Sequence, residues 1–427
     1  MTAFVFIGAL LGSIAIGLPI AYALLLTGVA LMLHIGFFDA QIVAQNLMNG
    51  ADSFPLMAIP FFMLTGAVMN RGGLSRRIVE LALAGLGHVR GGLGYVTILA
   101  GLVMAAFSGS AAADAAALAT ILIPMMLAAG HDPRSSTGLV ASTAIIALVI
   151  PPSIGFIIIG VVGNISITRL FLAGIVPGIM MALALTATWY YLNRGNLQLK
   201  VREKAGPGEV RRRFLESFWA LMLPIIIVVG LRFGVFTPTE AGVVASVYAM
   251  FIAMFVYREL DFAALRLCLV EAGKLTATVM FLVAAASVSG WMVTVAGLQA
   301  QIGGLVAPLA ADPRLFMLVV VLLVMIIGMA MDMVPIVLIM VPVLLPVAVG
   351  AGIDPVYFGV IFLIACSIGL ITPPVGTVLN VVSGVSRIPF VQVVMGVWPY
   401  LVTLLLTLGL MIVFPQIVIA PARFLAG

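Results

Sequence analysis

Apolar residues run along this chain in blocks of membrane-spanning length. A helix of about 20 apolar residues crosses the hydrocarbon core of a bilayer. The pattern therefore predicts an all-α polytopic membrane protein. The first block is expected to form one retained span, because it is too long for the apolar region of a signal peptide. The blocks cover roughly residues 4–33, 54–70, 92–107, 111–129, 136–163, 168–191, 216–232, 238–256, 274–297, 314–329, 333–350, 356–382 and 394–419.

Composition agrees with this class and excludes others. The chain is 64% hydrophobic and only 8% charged, which leaves too little polar surface for a soluble fold. Its 44 glycines and 23 prolines fit transmembrane helices better than the alternating strands of a porin. The two cysteines, Cys268 and Cys366, lie far apart in apolar segments and indicate neither a disulfide framework nor a metal site.

The sequence contains no signature of an enzyme or an ATP-driven pump. A Gly-x-x-x-x-Gly-Lys-Ser/Thr loop is absent, so ATP is not the evident energy source. The small-residue run 108–110 is not a nucleophile elbow, because no histidine or carboxylate set accompanies it on a strand-turn-helix. We therefore expect a non-enzymatic protein without an organic cofactor.

Charged residues are placed where membrane topology requires them. Seven of the 20 basic residues lie between Arg194 and Arg213, which predicts a solvated cytoplasmic loop rather than a nucleic-acid-binding patch. Two stretches, 74–88 and 262–274, mix charged and apolar positions, which is typical of amphipathic helices at the membrane interface.

Topology can be deduced from the distribution of positive charge. If the turns at 108–110 and 330–332 belong to hairpins that enter and leave on one side, 16 of the 20 basic residues become cytoplasmic. Two full crossings at these turns would destroy that clustering. The positive-inside rule therefore favours hairpins. The basic residues left outside are Arg169, Arg232, Arg314 and Arg423.

An internal repeat with an offset of 222 residues, free of gaps, organises the chain. It superposes Pro124 on Pro346, Asp132-Pro133 on Asp354-Pro355, Pro151-Pro152 on Pro373-Pro374, Gly174 on Gly396 and Pro177 on Pro399. Under the topology above, equivalent helices enter the membrane from opposite sides, which defines inverted repeats. The predicted units are 1–192, a basic cytoplasmic linker at 193–215, and 216–427.

Each repeat is expected to contain a re-entrant hairpin and a broken helix. The hairpins span about 92–129 and 314–350, and the broken helices about 136–163 and 356–382. Glycine allows the sharp turn of Ser108-Gly109-Ser110, whose carbonyls and hydroxyls are hard oxygen ligands. The double prolines free carbonyls one turn earlier. The residues with freed carbonyls are Ala147, Leu148, Ile150, Gly369, Leu370 and Thr372.

These oxygens suit a small alkali cation, and half-helix N-termini facing the same cavity favour a substrate carboxylate. Asp332 is the sharpest single candidate, either as a cation ligand or as a helix cap, and the two roles are compatible. For Asp114 a structural hydrogen bond is favoured over a ligand role. Thr372 and Thr377 either donate ligands or satisfy freed carbonyls. Glu240 resembles part of a capping box at a helix start.

At these residues the chain resembles the large membrane subunit of the tripartite ATP-independent periplasmic (TRAP) transporters. The resemblance covers nearly the whole sequence. Each motif is weak evidence by itself, but the order in which the motifs occur is specific to the family. They are Pro55–Phe62, Asn70–Ser75, Ser108-Gly109-Ser110 with Ala113-Asp114, Ile150–Ser153, Leu170–Gly178, Phe236–Ala241, Gly352–Pro355 and Gly369–Gly376. The run Ala111–Ala113 departs from a tip that is usually richer in serine in this family.

The resemblance implies a sodium-driven secondary transporter in the bacterial inner membrane, with a scaffold and a transport domain that moves as an elevator. It implies two protein partners, a periplasmic substrate-binding protein and a separate small four-helix membrane subunit, together with membrane lipid. The substrate would be an organic acid, and C4-dicarboxylates, sialic acids, sugar acids and keto acids all fit. Na⁺ would be the coupling ion, and no nucleic acid would bind.

The resemblance also carries over candidate sites by position. One sodium site would use Ser108, Ser110, Ala147, Ile150 and Pro151, and the other Gly328, Asp332, Gly369, Thr372 and Val375. Flanking residues would contact the substrate, namely Gly109, Pro152, Ser153, Pro373, Pro374, Gly376 and Thr377. Two alternatives stay open. One is a stand-alone sodium/dicarboxylate symporter, and the other is a passive channel or structural assembly subunit.

Overall fold

The protein is described by a computed structural model that covers residues 2–195, 203–298, 301 and 312–426. Every regular element in these ranges is helical. The α-helices are α1 (Thr2–Ala15), α2 (Ile20–His34), α3 (Ala40–Ala51), α4 (Ala58–Arg71), α5 (Leu74–Leu86), α6 (Gly92–Ser108), α7 (Ala111–Ala128), α8 (Pro133–Ala144), α9 (Ile154–Val162), α10 (Ile167–Asn193), α11 (Pro207–Arg232), α12 (Pro238–Phe251), α13 (Phe262–Val295), α14 (Pro313–Gly328), α15 (Met333–Gly350), α16 (Pro355–Gly369), α17 (Thr377–Ser386), α18 (Phe390–Val413) and α19 (Gln416–Ala426). Short 3₁₀ turns occupy Phe54–Met57 and Ile145–Leu148, and a π-helical turn occupies Ile252–Val256.

The predicted all-α membrane class is confirmed. Within the described ranges, eight helical segments are long and apolar enough to cross a bilayer. The hairpin helices α6 and α14 are shorter, with 17 and 16 residues. At a rise of about 1.5 Å per residue each would extend only about 25 Å.

Helix boundaries reproduce the 222-residue offset closely. Helix α7 begins at Ala111 and α15 at Met333, while α8 begins at Pro133 and α16 at Pro355. The same side chain caps the latter pair. Asp132 accepts a hydrogen bond from the Ser135 amide in one half, and its equivalent Asp354 accepts bonds from two amides in the other. The same offset relates the caps of α3 and α13, so the repeat extends toward the start of each half.

One difference between the halves lies at the helices after those caps. Asp39 caps α3, which is followed by a 3₁₀ turn and α4, whereas Asp261 caps the single 34-residue helix α13. The prediction of a separate interfacial stretch at 262–274 is wrong. The stretch is continuous with the following span because no proline interrupts residues 262–295.

Two other blocks divide where one span was expected. The block at 4–33 divides into α1 and α2 because Gly17 adopts a φ of 84° and Pro19 precedes α2. The two helices pack against each other. The block at 394–419 is divided by Pro415 into α18 and α19. In both places a proline interrupts the hydrogen-bond ladder. Of the predicted linker 193–215, the last part is helical as the start of α11, and residues 196–202 lie outside the described ranges.

The two halves interlock at the centre of the molecule. Helix α7 of the first hairpin packs on α17, and α15 of the second hairpin packs on α9. Helix α8 packs on α18 so closely that a methyl group on Gly138 would overlap the Gly396 carbonyl. Each hairpin is therefore held against the broken helix of the other half.

A second set of helices packs mainly against itself. Helix α13 contacts α2, α3 and α4, while α12 contacts α4 and α11. Ion pairs fasten α5 to this set: Arg77 binds Glu259 at 2.7 Å, and Arg213 binds Glu80 at 2.7 Å. The predicted capping box at the start of α12 is confirmed, because Thr237 and Glu240 exchange side-chain and backbone hydrogen bonds.

Candidate transport site

The turn of the first hairpin is built by glycine and serine. Gly109 has a φ of 59°, and the Ser110 hydroxyl caps α7 by accepting a hydrogen bond from the Ala113 amide at 3.4 Å. A Cβ on Gly109 would lie 3.2 Å from the Pro152 carbonyl oxygen and 3.4 Å from the Ile154 amide nitrogen. This tip is therefore seated on the break of the helix in its own half.

The turn of the second hairpin is seated in the same way. The Gly376 amide donates a hydrogen bond to the Met329 carbonyl at 3.1 Å. A Cβ on Gly369 would lie 2.9 Å from the Gly328 Cα, so only glycines allow this approach. Asp332 caps α15, since its Oδ1 accepts a hydrogen bond from the Met333 amide at 2.8 Å. The capping role expected for Asp332 is thus present.

Polar side chains at the two breaks are already engaged with the backbone. Ser153 caps α9 by accepting from the Phe156 amide, and its hydroxyl donates to the Leu148 carbonyl. The Thr372 hydroxyl donates to the Ile368 carbonyl at 2.7 Å. For Thr372, satisfaction of a helix carbonyl is therefore observed, and its hydroxyl oxygen keeps a lone pair that can meet a cation.

Both tips open onto one cavity of about 320 Å³. The inner wall contains the first-turn residues of four helices, α7, α9, α15 and α17. Each helix N-terminus carries roughly half a positive charge, because its first amides have no carbonyl partner within the helix. The residues that supply these four N-termini to the wall are Ala111, Ala112, Ala113, Ile154, Met333, Val334, Thr377 and Val378.

The structure brings some predicted site residues to this wall and leaves others behind it. The cavity is lined by Ser108, Gly109, Ser110, Asp332 and Thr377. Leu148 and Leu370, equivalent by the repeat, line it as well. The remaining predicted residues lie in or beside the hairpin tips and helix breaks without lining the cavity, namely Ala147, Ile150, Pro151, Pro152, Ser153, Gly328, Gly369, Thr372, Pro373, Pro374, Val375 and Gly376.

The opposite wall comes from α4 and α13, and the sequence analysis missed it. Asn70, Glu271 and Thr278 supply its polar side chains. Glu271 pairs with Arg71 at 3.0 Å, and both side chains are about half exposed, at 50% and 45%. A charged residue inside a long apolar helix was the available signal, but the wrong division of α13 placed Glu271 in an interfacial stretch.

Asp114 lies behind the first tip. It lies on the first turn of α7, is fully buried, and neither carboxylate oxygen makes a hydrogen bond with any residue in the described ranges. Ser108 is the polar side chain beside it. The hydroxyls of Ser142 and Thr143 on α8 are also buried without described partners. The structural hydrogen bond expected for Asp114 therefore stays a prediction, with the Ser108 hydroxyl as the neighbouring donor.

The charged side chains that line the cavity are acidic. Its described lining contains the carboxylates Glu271 and Asp332 and no lysine, arginine or histidine. The positive electrostatic contribution along this lining comes from the four helix N-termini. The cavity thus combines acidic side chains with helix N-termini, and Arg71 lies beside it through its ion pair with Glu271.

Comparison with known proteins places this arrangement in a family. Residues 7–417 match the family described as tripartite ATP-independent periplasmic transporter, DctM component. This chain belongs to that family. It is 52% identical to the 2,3-diketo-L-gulonate TRAP transporter large permease protein YiaN of Escherichia coli K12, over 100% of both chains. The chain is therefore an integral inner-membrane transport protein, as its sequence predicted.

Other relatives and one solved structure extend the comparison. The chain is 38% identical to the sialic acid TRAP transporter large permease protein SiaM of Vibrio cholerae, over 97% of each chain. It is 36% identical to the C4-dicarboxylate TRAP transporter large permease protein DctM of Pseudomonas aeruginosa, over 90% of each. The crystal structure of the Alcanivorax borkumensis YdaH transporter aligns with a TM-score of 0.58 over 89% of this chain and 91% of that one, at 17% identity. That likeness concerns the fold alone.

Proposed function

We propose that this chain is the large permease subunit of a sodium-coupled importer for an organic acid. The names of the relatives above specify 2,3-diketo-L-gulonate, sialic acid and C4-dicarboxylates as solutes, and all three are carboxylates. The relative that is 52% identical favours a sugar-derived keto acid as the solute. No part of the proposal requires an organic cofactor.

The observation that carries this proposal is the convergence of four helix N-termini on a cavity whose described side-chain charges are acidic. Sodium at the first tip would use Ser108, Ser110 and carbonyls near Pro151. Sodium at the second would use Asp332, Thr372 and carbonyls near Gly369. Each bound cation adds positive charge beside the place where a carboxylate would lie. Cation and substrate therefore favour each other's binding, which is thermodynamic coupling.

Transport is proposed to occur by a shift of one set of helices relative to the other. The interlocked hairpins and broken helices would move as a transport domain and carry the first and second tips together. Helices α4 and α13, fixed by the packing and ion pairs of the second set, would be the scaffold wall. Because the sites lie between inverted repeats, two related positions would open the cavity to opposite sides of the membrane.

Two partners are proposed from family membership. A periplasmic substrate-binding protein would deliver the acid, and a small four-helix membrane subunit would brace the scaffold helices. The family's printed description, a tripartite periplasmic transporter, supports this assembly.

Uptake in proteoliposomes tests the function. The chain is reconstituted with its small subunit, and entry of labelled 2,3-diketo-L-gulonate and of a C4-dicarboxylate is followed with and without a sodium gradient and a binding protein. Uptake that requires both supports the proposal. Uptake of free solute without a binding protein would instead identify a stand-alone symporter, and flux independent of the gradient would indicate a channel.

A further inference from the structure

The arginines that the predicted topology places on the outer side of the membrane lie close together at one corner of the molecule. Arg169, at the start of α10, and Arg423, on α19, line one cavity of about 460 Å³. Arg314, at the start of α14, lines an adjoining cavity of about 140 Å³. The two cavities share Asp354, Tyr357 and Ile419. Basic residues are depleted on the outer side of inner-membrane proteins, so this clustering calls for a ligand.

The corner carries an excess of positive charge. Its three arginines are exposed, and none of them forms an ion pair with a residue in the part of the chain that the structure describes. Two carboxylates lie at this corner, Asp354 and Asp312, and they cap α16 and α14. The fourth outer arginine, Arg232, points to the same region, because its guanidinium carbon lies 5.9 Å from the Phe424 ring centroid.

Apolar groups surround these charges. Val356, Val418 and Ala422 form walls of the larger cavity. Phe414 and Phe424, at the end of α18 and on α19, are 55% and 77% exposed, and exposed aromatic rings are typical of the level of lipid headgroups. Guanidinium groups above apolar walls match an amphiphile with an anionic head and hydrocarbon below. A small water-soluble anion would gain nothing from those walls.

We propose that this corner binds the phosphodiester headgroup of an anionic phospholipid. Arg169 and Arg423 would donate hydrogen bonds to the phosphate oxygens, with Arg314 adding charge from the adjoining cavity. The acyl chains would leave along the apolar side of α19. A bound lipid would thereby hold α19 against α10 and the start of α16. This site is separate from the transport cavity and does not depend on the proposed solute.

Native mass spectrometry of the full chain tests the proposal. The protein is prepared in nanodiscs with equal amounts of phosphatidylglycerol and phosphatidylcholine, then released with limited detergent. The double variant Arg169→Gln/Arg423→Gln is compared with Arg211→Gln/Arg266→Gln, which removes two exposed arginines on the predicted cytoplasmic side. We expect affinity for phosphatidylglycerol to fall about 30-fold in the first variant and to be unchanged in the control.

Further arms identify the source of the anion. Glycerol 3-phosphate and inorganic phosphate, added at millimolar concentration, are expected not to displace the lipid. Displacement by either, or equal retention of phosphatidylglycerol in both double variants, would overturn the proposal. If the first variant keeps its lipid and loses instead its response to an acidic substrate-binding protein, the corner is a protein-docking surface and the lipid assignment is wrong. Circular dichroism checks that both variants are folded.

Discussion

The two hairpins share one geometry but place their carboxylates differently. Ser110 and Asp332 are equivalent by the repeat, and each caps the helix that follows its turn. Asp332 is exposed to the cavity. At the first tip the carboxylate is Asp114, buried one turn behind the surface, where the second repeat has Ile336. The repeat therefore preserves helix breaks and caps while moving the charge by four residues.

This difference predicts two ways of holding a cation. At the second tip a carboxylate oxygen can meet the ion directly. At the first tip the proposed ligands would be neutral hydroxyl and carbonyl oxygens, and Asp114 would act through the electric field of its charge. A buried carboxylate without partners is costly, so a nearby cation or a bound proton stabilises it. Substitutions at each position separate direct coordination from an indirect charge effect.

The largest effect is expected at the exposed carboxylate. Asp332→Asn removes the charge but keeps a side chain that caps helices as well as aspartate does. Loss of a charged ligand costs about 2 kcal/mol, so the sodium concentration for half-maximal uptake is expected to rise about 30-fold. Sodium titration of uptake measures this change. Wild-type sodium activation in a correctly folded variant would show that Asp332 only caps α15.

A smaller effect is expected at the buried carboxylate. Asp114→Asn keeps the side-chain volume and removes a charge that lies roughly 6 Å, one helical turn, from the tip. A charge at that distance contributes about 1–2 kcal/mol when solvent and protein screen it, so the sodium requirement should rise about tenfold. Unchanged sodium activation would mean that Asp114 carries a proton during transport.

The first tip itself is tested through its hydroxyl. Ser110→Ala removes both the α7 cap and a hydroxyl ligand, and each contributes about 1 kcal/mol. We expect about a fivefold rise in the sodium requirement, because the carbonyl ligands remain. Ser110→Thr is the matched control, since it keeps the hydroxyl and the cap. Equal sodium curves for alanine and threonine would exclude the hydroxyl from the site.

The positions of the two hairpin tips could be predicted from the sequence because the residues that form each turn act locally on the backbone. Glycine at 109 and the paired prolines at 151–152 bend or interrupt the backbone wherever they occur. The cap at Asp332 follows from its position before an apolar helix. These features, together with the repeat, were sufficient to predict where the two hairpins turn and where the two broken helices break.

The other wall of the cavity could not be predicted in this way. Glu271 and Thr278 reach the cavity only through the packing of α13 against α4, which is a contact between distant segments. The burial of Asp114 likewise depends on neighbours from other helices. Division of the N-terminal block after Ala15 was missed because its hydrophobicity hid the effects of Gly17 and Pro19.

The smallest effect on sodium is expected on that second wall, where Glu271 faces the tips across the cavity. Glu271→Gln removes an ion pair with Arg71 whose side chains are about half exposed. Such pairs contribute at most about 1 kcal/mol, so stability should change little in a thermal melt. Arg71→Gln is the matched variant, since it removes the other partner. We expect solute KM to shift about two- to fivefold in opposite directions for the two variants, because one removes negative and the other positive charge near the carboxylate.

The sodium requirement is expected to stay unchanged, since both cations would lie at the tips. A sodium shift as large as that of Asp332→Asn would place a cation on the α4–α13 wall and remove the distinction between the two sides of the cavity.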